Sequence, residues 1–212
     1  MTEKEISQAV IGRLPRYYRL LGDLKEQGKQ RISSQELSDI LRVTASQIRQ
    51  DFNNFGGFGQ QGYGYNIDYL HGEIGKILGL DREHKMILVG VGNLGQALLN
   101  YASFSLSGFS FVRAFDEKTE LDGTVVAGVP VSSASELEHF LEDSGVDIAV
   151  IAIPRGNAQA VATRLVNCGI RAIWNFAPVD LEVPENVTVE HVHLQDSLMK
   201  LSYLAAHEKT GR

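Results

Sequence analysis

Apolar residues at positions 6, 10, 14, 17, 18, 21 and 24 recur at close to the helical period and predict a helix over Ile6 to Leu24. Gly12 and Pro15 predict a break or a restart inside it. Ser34 reads as the cap of a short helix from Gln35 to Leu41 that buries Leu37, Ile40 and Leu41. Arg42 and Val43 turn the chain, and Thr44 caps a third helix with Gln47 at the third helical position, the spacing of a capping box. Ile48 and Phe52, four apart, face inward and leave Ser46, Gln47, Arg49 and Gln50 facing out. That is the build of a helix-turn-helix, spanning Tyr17 to Gly56, whose second helix offers side chains to a DNA major groove. Arginine can read guanine there, and glutamine can read adenine. Phe55 to Tyr65 then alternates five glycines with aromatics and predicts a tight hairpin, with Gln60 and Gln61 at its tip. Behind a helix-turn-helix such a hairpin is a wing, and its glutamines can meet base edges in a minor groove. An ordinary loop or a small protein-binding module is the competing reading. Asn66 to Leu80 reads as another helix with Ile67, Leu70, Ile74, Ile77 and Leu78 on its apolar side.

The pattern changes after residue 84. Met86 to Val89 is a buried-strand run, Gly90, Gly92 and Gly95 follow at G-x-G-x-x-G spacing, and Gln96 to Tyr101 reads as a helix. A second apolar run, Phe109 to Phe115, ends in Asp116, 21 residues past Gly95. In a dinucleotide site the first glycine allows the turn, the second lets backbone approach the pyrophosphate, and the third lets helix and strand pack closely. The phosphates would sit on Gly90, Val91, Gly92, Asn93, Leu94 and Gly95, favoured by the helix dipole. A carboxylate at Asp116 accepts hydrogen bonds from an adenine-ribose diol and repels a 2'-phosphate, which favours NAD(H). A Rossmann-like domain that has lost its ligand is the bland alternative.

Further on, Ser135 reads as the cap of a helix from Glu136 to Leu141. Asp147 to Ile153 is nearly all apolar, as a central parallel strand is. Ala158 to Val166 is helical, and Ala172 to Trp174 is a strand. This alternation predicts an open α/β sheet. Ligands bind off the carboxyl ends of such strands, so Pro154 and Asn175, Phe176, Ala177 and Pro178 should line the cofactor crevice. Val187 to Val192 is a candidate edge strand, and Asp196 to His207 a final helix whose apolar spread suits a dimer interface or packing on its own domain. The expected fold is therefore α/β, with a winged helix-turn-helix domain at 1–80, a Rossmann-like domain at 85–192 and a terminal dimerisation helix and tail at 193–212.

Charge sharpens this division. Residues 1–80 hold ten Lys/Arg against nine Asp/Glu, a net +1, and residues 81–212 hold ten against seventeen, a net −7. The acidity belongs to the second part and leaves the first free to approach an anionic surface. No apolar run is long enough for a membrane span. A single cysteine, Cys168, permits no internal disulfide and fits a reducing cytoplasm. No catalytic set emerges, and the six histidines are scattered. The close pair, His191 and His193, has no evident acidic or cysteine partner to complete a metal shell, so no metal is expected.

Two blocks carry a family resemblance. One runs from Ile32-Ser33-Ser34-Gln35-Glu36-Leu37 through VTASQIRQDF at 43–52 to FGGFG at 55–59 and GYN at 64–66. The other is GVGNLGQAL at 90–98, with Ala158-Gln159 and NFAPV at 175–179 later. Together they resemble the Rex family of redox-sensing transcriptional repressors, over about Pro15 to Leu204. The resemblance implies a non-enzymatic homodimer that binds palindromic operator DNA when NADH is scarce. NADH and NAD+ would be its regulatory ligands, with NADH closing the dimer and releasing DNA. It also implies that the last helix swaps onto the partner subunit. Carried over residue by residue, it assigns a switching role to Tyr101 and Arg16, linked to an aspartate near the start of the last helix. Here the chain departs, because the family's N-V-D-L reads His191-Val192-His193-Leu194, with His193 in the aspartate's place. Phe52-Asn53-Asn54 also replaces a serine-tyrosine version of the recognition helix. Two other readings stay open: a nucleotide-binding paralogue with an altered or lost NADH switch, and a small NAD-dependent oxidoreductase.

Overall fold

The computed structural model describes residues 6–55 and 63–207. They divide into two compact units, Met1–Arg82 and Glu83–Arg212. In the first unit, the helical period near the N-terminus resolves into α1 (Gln8–Ile11) and α2 (Leu14–Glu26), broken at Gly12 and Arg13, with Pro15 in the first turn of α2. Proline is tolerated there because the first turn's N–H groups have no intrahelical partner. After β1 (Arg31–Ile32) come α3 (Ser34–Leu41) and α4 (Ala45–Asn53), the two helices of the helix-turn-helix. β2 (Tyr65–Asn66) pairs antiparallel with β1, and α5 (Ile67–Ile77) closes the unit. The predicted wing tip, with Gln60 and Gln61, and Gly56 at the end of the predicted span lie outside the described residues.

Local chemistry moves the expected boundaries. Ser33, not Ser34, caps α3: its hydroxyl accepts from the Glu36 N–H, and the Glu36 carboxylate accepts from the Ser33 N–H, a complete capping box. The box predicted at Thr44 is only half made. Thr44 accepts from the Gln47 N–H at 3.2 Å, but the Gln47 amide turns the other way and donates to Asp51 at 2.9 Å. Ile40 is exposed rather than buried, because Leu37 and Leu41 already fill the inward face of so short a helix.

The core of this unit gathers Leu14, Tyr17, Leu21, Leu37, Ile48, Phe52, Ile67, Leu70 and Ile74. One charge lies inside it. Asp51 is fully buried on α4 and accepts two hydrogen bonds from the Arg13 guanidinium, both 2.7 Å, and a third from the Tyr17 hydroxyl at 2.7 Å. Arg13 is thus the tie between the α1–α2 junction and α4. Burial pushes the Asp51 carboxyl up, but the bonds from Arg13, Tyr17 and Gln47 outweigh it and hold the group below its ordinary value.

The second unit is a sheet with seven strands among the described residues. Its elements are β3 (His84–Val89), α6 (Asn93–Leu99), α7 (Ser103–Leu106), β4 (Phe109–Asp116), β5 (Val125–Val126), β6 (Val129–Ser133), α8 (Leu137–Leu141), β7 (Ile148–Ile151), α9 (Arg155–Asn167), β8 (Ala172–Asn175), β9 (Thr188–His191) and α10 (Leu194–His207). The spatial order is β5-β6-β4-β3-β7-β8-β9, parallel throughout except for the edge pair β5–β6. Leaving out β5, the remaining six strands follow the 3-2-1-4-5-6 order of the doubly wound dinucleotide fold. Ser133, not Ser135, caps the turn before α8, accepting from the Ser135 N–H at 3.3 Å. The last helix begins at Leu194, two residues before the expected Asp196.

Replacing Asp51 with alanine strips an acceptor from Arg13 and from the buried Tyr17 hydroxyl. We expect it to destabilise the N-terminal unit by about 3 kcal/mol in chemical denaturation. Acid acts on the same carboxylates. The Glu36 carboxyl, bonded chiefly by Lys29 and then by Ser33, is lowered from 4.5 to about 2, and Asp51 is lowered too. Groups that ionise more readily when folded stabilise fully above their unfolded values, and that contribution disappears as pH falls through the folded values. Unfolding followed between pH 5 and pH 2 should therefore show this unit weakening from about 4.5 downward, and the Asp51→Ala variant should lose less over that range.

Candidate nucleotide cleft and DNA-facing helix

The strand order reverses between β3 and β7, and at that switch point the carboxyl ends of both strands open a cleft. A cavity of about 340 Å³ lies there, lined by Gly90, Gly92, Asp116, Lys118, Pro154 and Arg164 among others. Its floor depends on two glycines. Gly90 has φ +101°, and a Cβ on it would stand 2.5 Å from both the Ala152 carbonyl oxygen and Ile153 Cγ2. At Gly95 a Cβ would meet the Gly90 carbonyl oxygen at 2.0 Å, so α6 can rest on the end of β3 only with glycine there. Gly92 is different: its missing side chain would point into open space. The first and third glycines therefore serve packing, and the second leaves backbone accessible from the cleft.

Asp116 ends β4 and does more than face the cleft. Its Oδ2 accepts from the Val91 N–H at 2.6 Å and its Oδ1 from the Lys118 N–H at 2.9 Å, tying the glycine loop to the strand end. A carboxylate has about four acceptor positions, so room remains for a ribose diol. Gln96 steadies the loop from the other side, donating to the Val91 carbonyl at 3.0 Å. Arg164 reaches the cleft wall from α9, held by Glu138 and by a 2.7 Å bond to the Ala134 carbonyl. Sequence reasoning missed Arg164 and Lys118. The rule that ligands meet strand ends points to Lys118, just past β4, but nothing in the pattern points to Arg164.

Other predicted residues lie elsewhere in this unit. Asn175 is fully buried at the end of β8; its amide nitrogen donates to the Val179 carbonyl at 2.8 Å, and its oxygen accepts from the Ala177 N–H at 3.0 Å. Asn175, Phe176, Ala177 and Pro178 are absent from the cleft lining; they shape the loop after β8. Tyr101 is 57% exposed and packs its ring on Phe104 beside a separate hollow near β4 and β6. His193 Nε2 lies 2.9 Å from Asp180 Oδ1, an acid from the loop after β8 that sequence spacing did not pair with it.

In the first unit, Ser46, Arg49 and Gln50 are exposed on α4, as an outward recognition face requires. Arg49 donates to the Ser34 hydroxyl at 2.9 Å, which bridges α4 to α3 and uses one of its five donors. Gln47 is half-buried and turned to Asp51, so it supports the helix from within. Arg16 is exposed on α2.

Comparison with known proteins bears on both units. A family model described as "CoA binding domain" matches residues 81–179, and one described as "Putative DNA-binding protein N-terminus" matches residues 5–53. The chain is 56% identical over 206 residues to the redox-sensing transcriptional repressor Rex of Clostridioides difficile strain 630, covering 97% of this chain and 98% of the relative. It is 52% identical to the Rex protein of Caldanaerobacter subterraneus subsp. tengcongensis, covering 99% of this chain and 94% of that one. Among solved structures, it resembles RSP in complex with β-NAD+ and operator DNA, with a TM-score of 0.93, 51% identity, and coverage of 98% of this chain and 95% of that one. RSP in complex with β-NADH gives a TM-score of 0.90 at 48% identity, covering 98% and 97%. With identity at this level along nearly its whole length, the chain belongs to the Rex family of redox-sensing transcriptional repressors.

Proposed function

We propose that this chain is a transcriptional repressor that holds operator DNA through its N-terminal unit and releases it when NADH outweighs NAD+. The observation that carries the reading is the combination in one chain of an outward helix-turn-helix face with a switch-point cleft that has Asp116 at the end of the second strand on its rim. The role is regulatory rather than catalytic, as family membership supports. We assign DNA contact to residues 1–80, nucleotide binding to 85–192 and dimerisation to 193–212. Gly90 to Gly95 would cradle the pyrophosphate and Asp116 the ribose diol, with Pro154 on the facing strand end. Ser46, Arg49 and Gln50 would meet bases or phosphates in the major groove. The response is differential affinity: both nucleotides can bind, and NADH favours the state that lets go of DNA. Among the described residues no helix is long and apolar enough to cross a membrane. The single cysteine fits work in the reducing cytoplasm.

The working form we propose is a homodimer. α10 has no buried residue, and Leu194, Leu198, Met199, Leu201, Tyr203 and Leu204 are all exposed on it. A helix so apolar needs a surface to cover it. The same unit offers an apolar hollow of about 350 Å³ on its sheet, lined by Met86, Phe104, Phe109, Ile148 and Trp174. The occupant we assign to that hollow is the terminal helix of a second copy, as the family resemblance implies.

One observation favours a modified switch within this reading. His193 stands where the family has aspartate and is already bonded to Asp180, so Arg16 would reach its partner through other contacts. If so, His193→Asp should change the fold-difference in DNA affinity that NADH produces; full NADH release in the wild type, left unchanged by the substitution, would exclude the modified switch.

The central test is a titration of a labelled palindromic operator at fixed ionic strength, with no nucleotide, with NAD+ and with NADH. Tight, salt-sensitive binding weakened preferentially by NADH is expected. Tight binding indifferent to both nucleotides would overturn the redox reading. The glycine loop supplies a paired test. Gly92→Ala should keep the melting temperature and weaken NADH binding about tenfold or more, because its added methyl enters open space in the cleft. Gly95→Ala should instead destabilise the fold by about 3 kcal/mol through overpacking. Equal melting losses in both would contradict the assigned roles. Light scattering should give twice the 23.3 kDa chain mass for the wild type and a shift toward the single mass for Leu198→Asp. A wild type that stays monomeric at high concentration would mean that α10 folds back on its own chain.

A further inference from the structure

A second cluster of chemistry-bearing side chains lies outside the nucleotide cleft. Asp180, from the loop after β8, meets His191, the last residue of β9, and His193, which directly precedes α10. One ligand atom from each lies within 4.8 Å of the others. His193 Nε2 stands 2.9 Å from Asp180 Oδ1, and His191 Nδ1 stands 3.9 Å from the same oxygen. Residues two apart in extended chain project the same way, and the two imidazole rings lie nearly parallel, 5.8 Å apart with 5° between their planes. Both histidine side chains are about one-quarter exposed and Asp180 is largely exposed, so the cluster opens to solvent on its carboxylate side.

We propose that Asp180, His191 and His193 bind a divalent first-row transition ion, with Zn2+ the best fit, at the root of α10. Two imidazoles and one carboxylate form the borderline donor set that selects such ions over Mg2+ and Ca2+, which take oxygen donors. Three protein ligands with an open fourth position are a common zinc arrangement. Ligand bonds of about 2.0–2.1 Å in a tetrahedron put donor atoms about 3.3 Å apart. The observed 2.9 and 3.9 Å separations from Asp180 Oδ1 bracket that edge, and the three ligand atoms already lie within 4.8 Å of one another.

His191 Nδ1 is shared with an asparagine amide. The Asn175 amide nitrogen approaches three acceptors, the Ala177 carbonyl at 3.3 Å, the Val179 carbonyl at 2.8 Å and His191 Nδ1 at 3.0 Å, with only two protons to give. The His191 lone pair can therefore turn to a metal while both amide protons keep carbonyl partners. The same asparagine orders the loop that delivers Asp180. On binding, His193 Nε2 must present its lone pair to the ion: a neutral ring protonated there takes a proton at Nδ1 as it gives up the one at Nε2, and a doubly protonated ring releases one proton to solvent. An occupied site would clip the loop after β8 to the residue from which α10 departs, fixing the direction in which that helix leaves the sheet.

The site does not depend on the operator-binding reading, and its test uses the metal alone. Metal-stripped full-length protein is titrated calorimetrically with Zn2+ and separately with Mg2+, and Co2+ binding is followed by its visible absorption. Saturable uptake of one Zn2+ per chain is expected, with tetrahedral Co2+ bands and no Mg2+ heat at the same concentrations. His191→Ala, His193→Ala and Asp180→Ala should each weaken Zn2+ at least about tenfold, while His139→Ala, at an exposed histidine near Glu142, should not. Far-ultraviolet circular dichroism and melting curves check that each variant folds. The absence of saturable Zn2+ uptake and of Co2+ bands in the wild type would overturn the proposal, whatever the variants do. So would a wild-type isotherm matched by folded His193→Ala, because the cluster would then be an ordinary imidazole–carboxylate hydrogen bond.

Discussion

The second unit depends on one steric constraint, the contact between the start of α6 and the end of β3. With 2.0 Å from an ideal Cβ at Gly95 to the Gly90 carbonyl oxygen, the two elements touch backbone to backbone, and no other residue fits there. That approach brings the N-terminal turn of α6 down to the rim of the sheet. Because β3 is the central strand, with β4 on one side and β7 on the other, the rim at that point is also where the strand order reverses. The cleft, the exposed backbone at Gly92 and the bond from Val91 to Asp116 all follow from that one close packing. Asp116 then locks the loop from the neighbouring strand, so the group we assign to the ribose also holds the glycine loop in shape. A substitution at Asp116 would disturb both jobs at once.

The first unit is set by a different kind of interaction. Its core is apolar, but the angle of α4 is fixed by a buried carboxylate rather than by shape alone. Asp51 takes two bonds from Arg13 and one each from Tyr17 and Gln47, reaching the α1–α2 junction from the inward face of the recognition helix. Apolar contacts tolerate sliding, whereas a bidentate guanidinium–carboxylate pair does not. A helix that we assign to present Ser46, Arg49 and Gln50 in one register would gain from such a peg, even where the net stability of a buried ion pair is small.

Much of this was legible in the sequence. The change from helical to alternating strand–helix period near residue 84 separates the two architectures. The glycine spacing with Asp116 at the next strand end placed the cleft. Each of these signals is local, carried by residues close in the chain. What escaped was carried by residues far apart. Arg13 and Asp51 are 38 positions apart, and each alone looks like a solvated charge. Asp180 comes 13 residues before His193, on a loop whose path is set by the Asn175 amide, so no spacing rule connects them. The shift of the cap from Ser34 to Ser33 is smaller in kind: two adjacent serines both qualify, and the position of Glu36 three residues after Ser33 decides between them.

α10 carries more apolar surface than one face of a helix can hold. Leu194, Leu198 and Leu201 step along one side, but Met199, Tyr203 and Leu204 spread the apolar surface well beyond one stripe. A helix packing on one surface needs a single stripe; apolar residues this widely spread call for contact on more than one side. One sheet face can cover only one side of the helix, so docking α10 onto its own sheet would still leave apolar side chains in water. A site between two copies removes that exposure, because a second surface then covers what the first cannot. The stability of the terminal helix then becomes a property of the assembly and rises with chain concentration. His193 sits at the point where the chain leaves β9 for that helix, and its contact with Asp180 ties the root of the helix to the loop after β8.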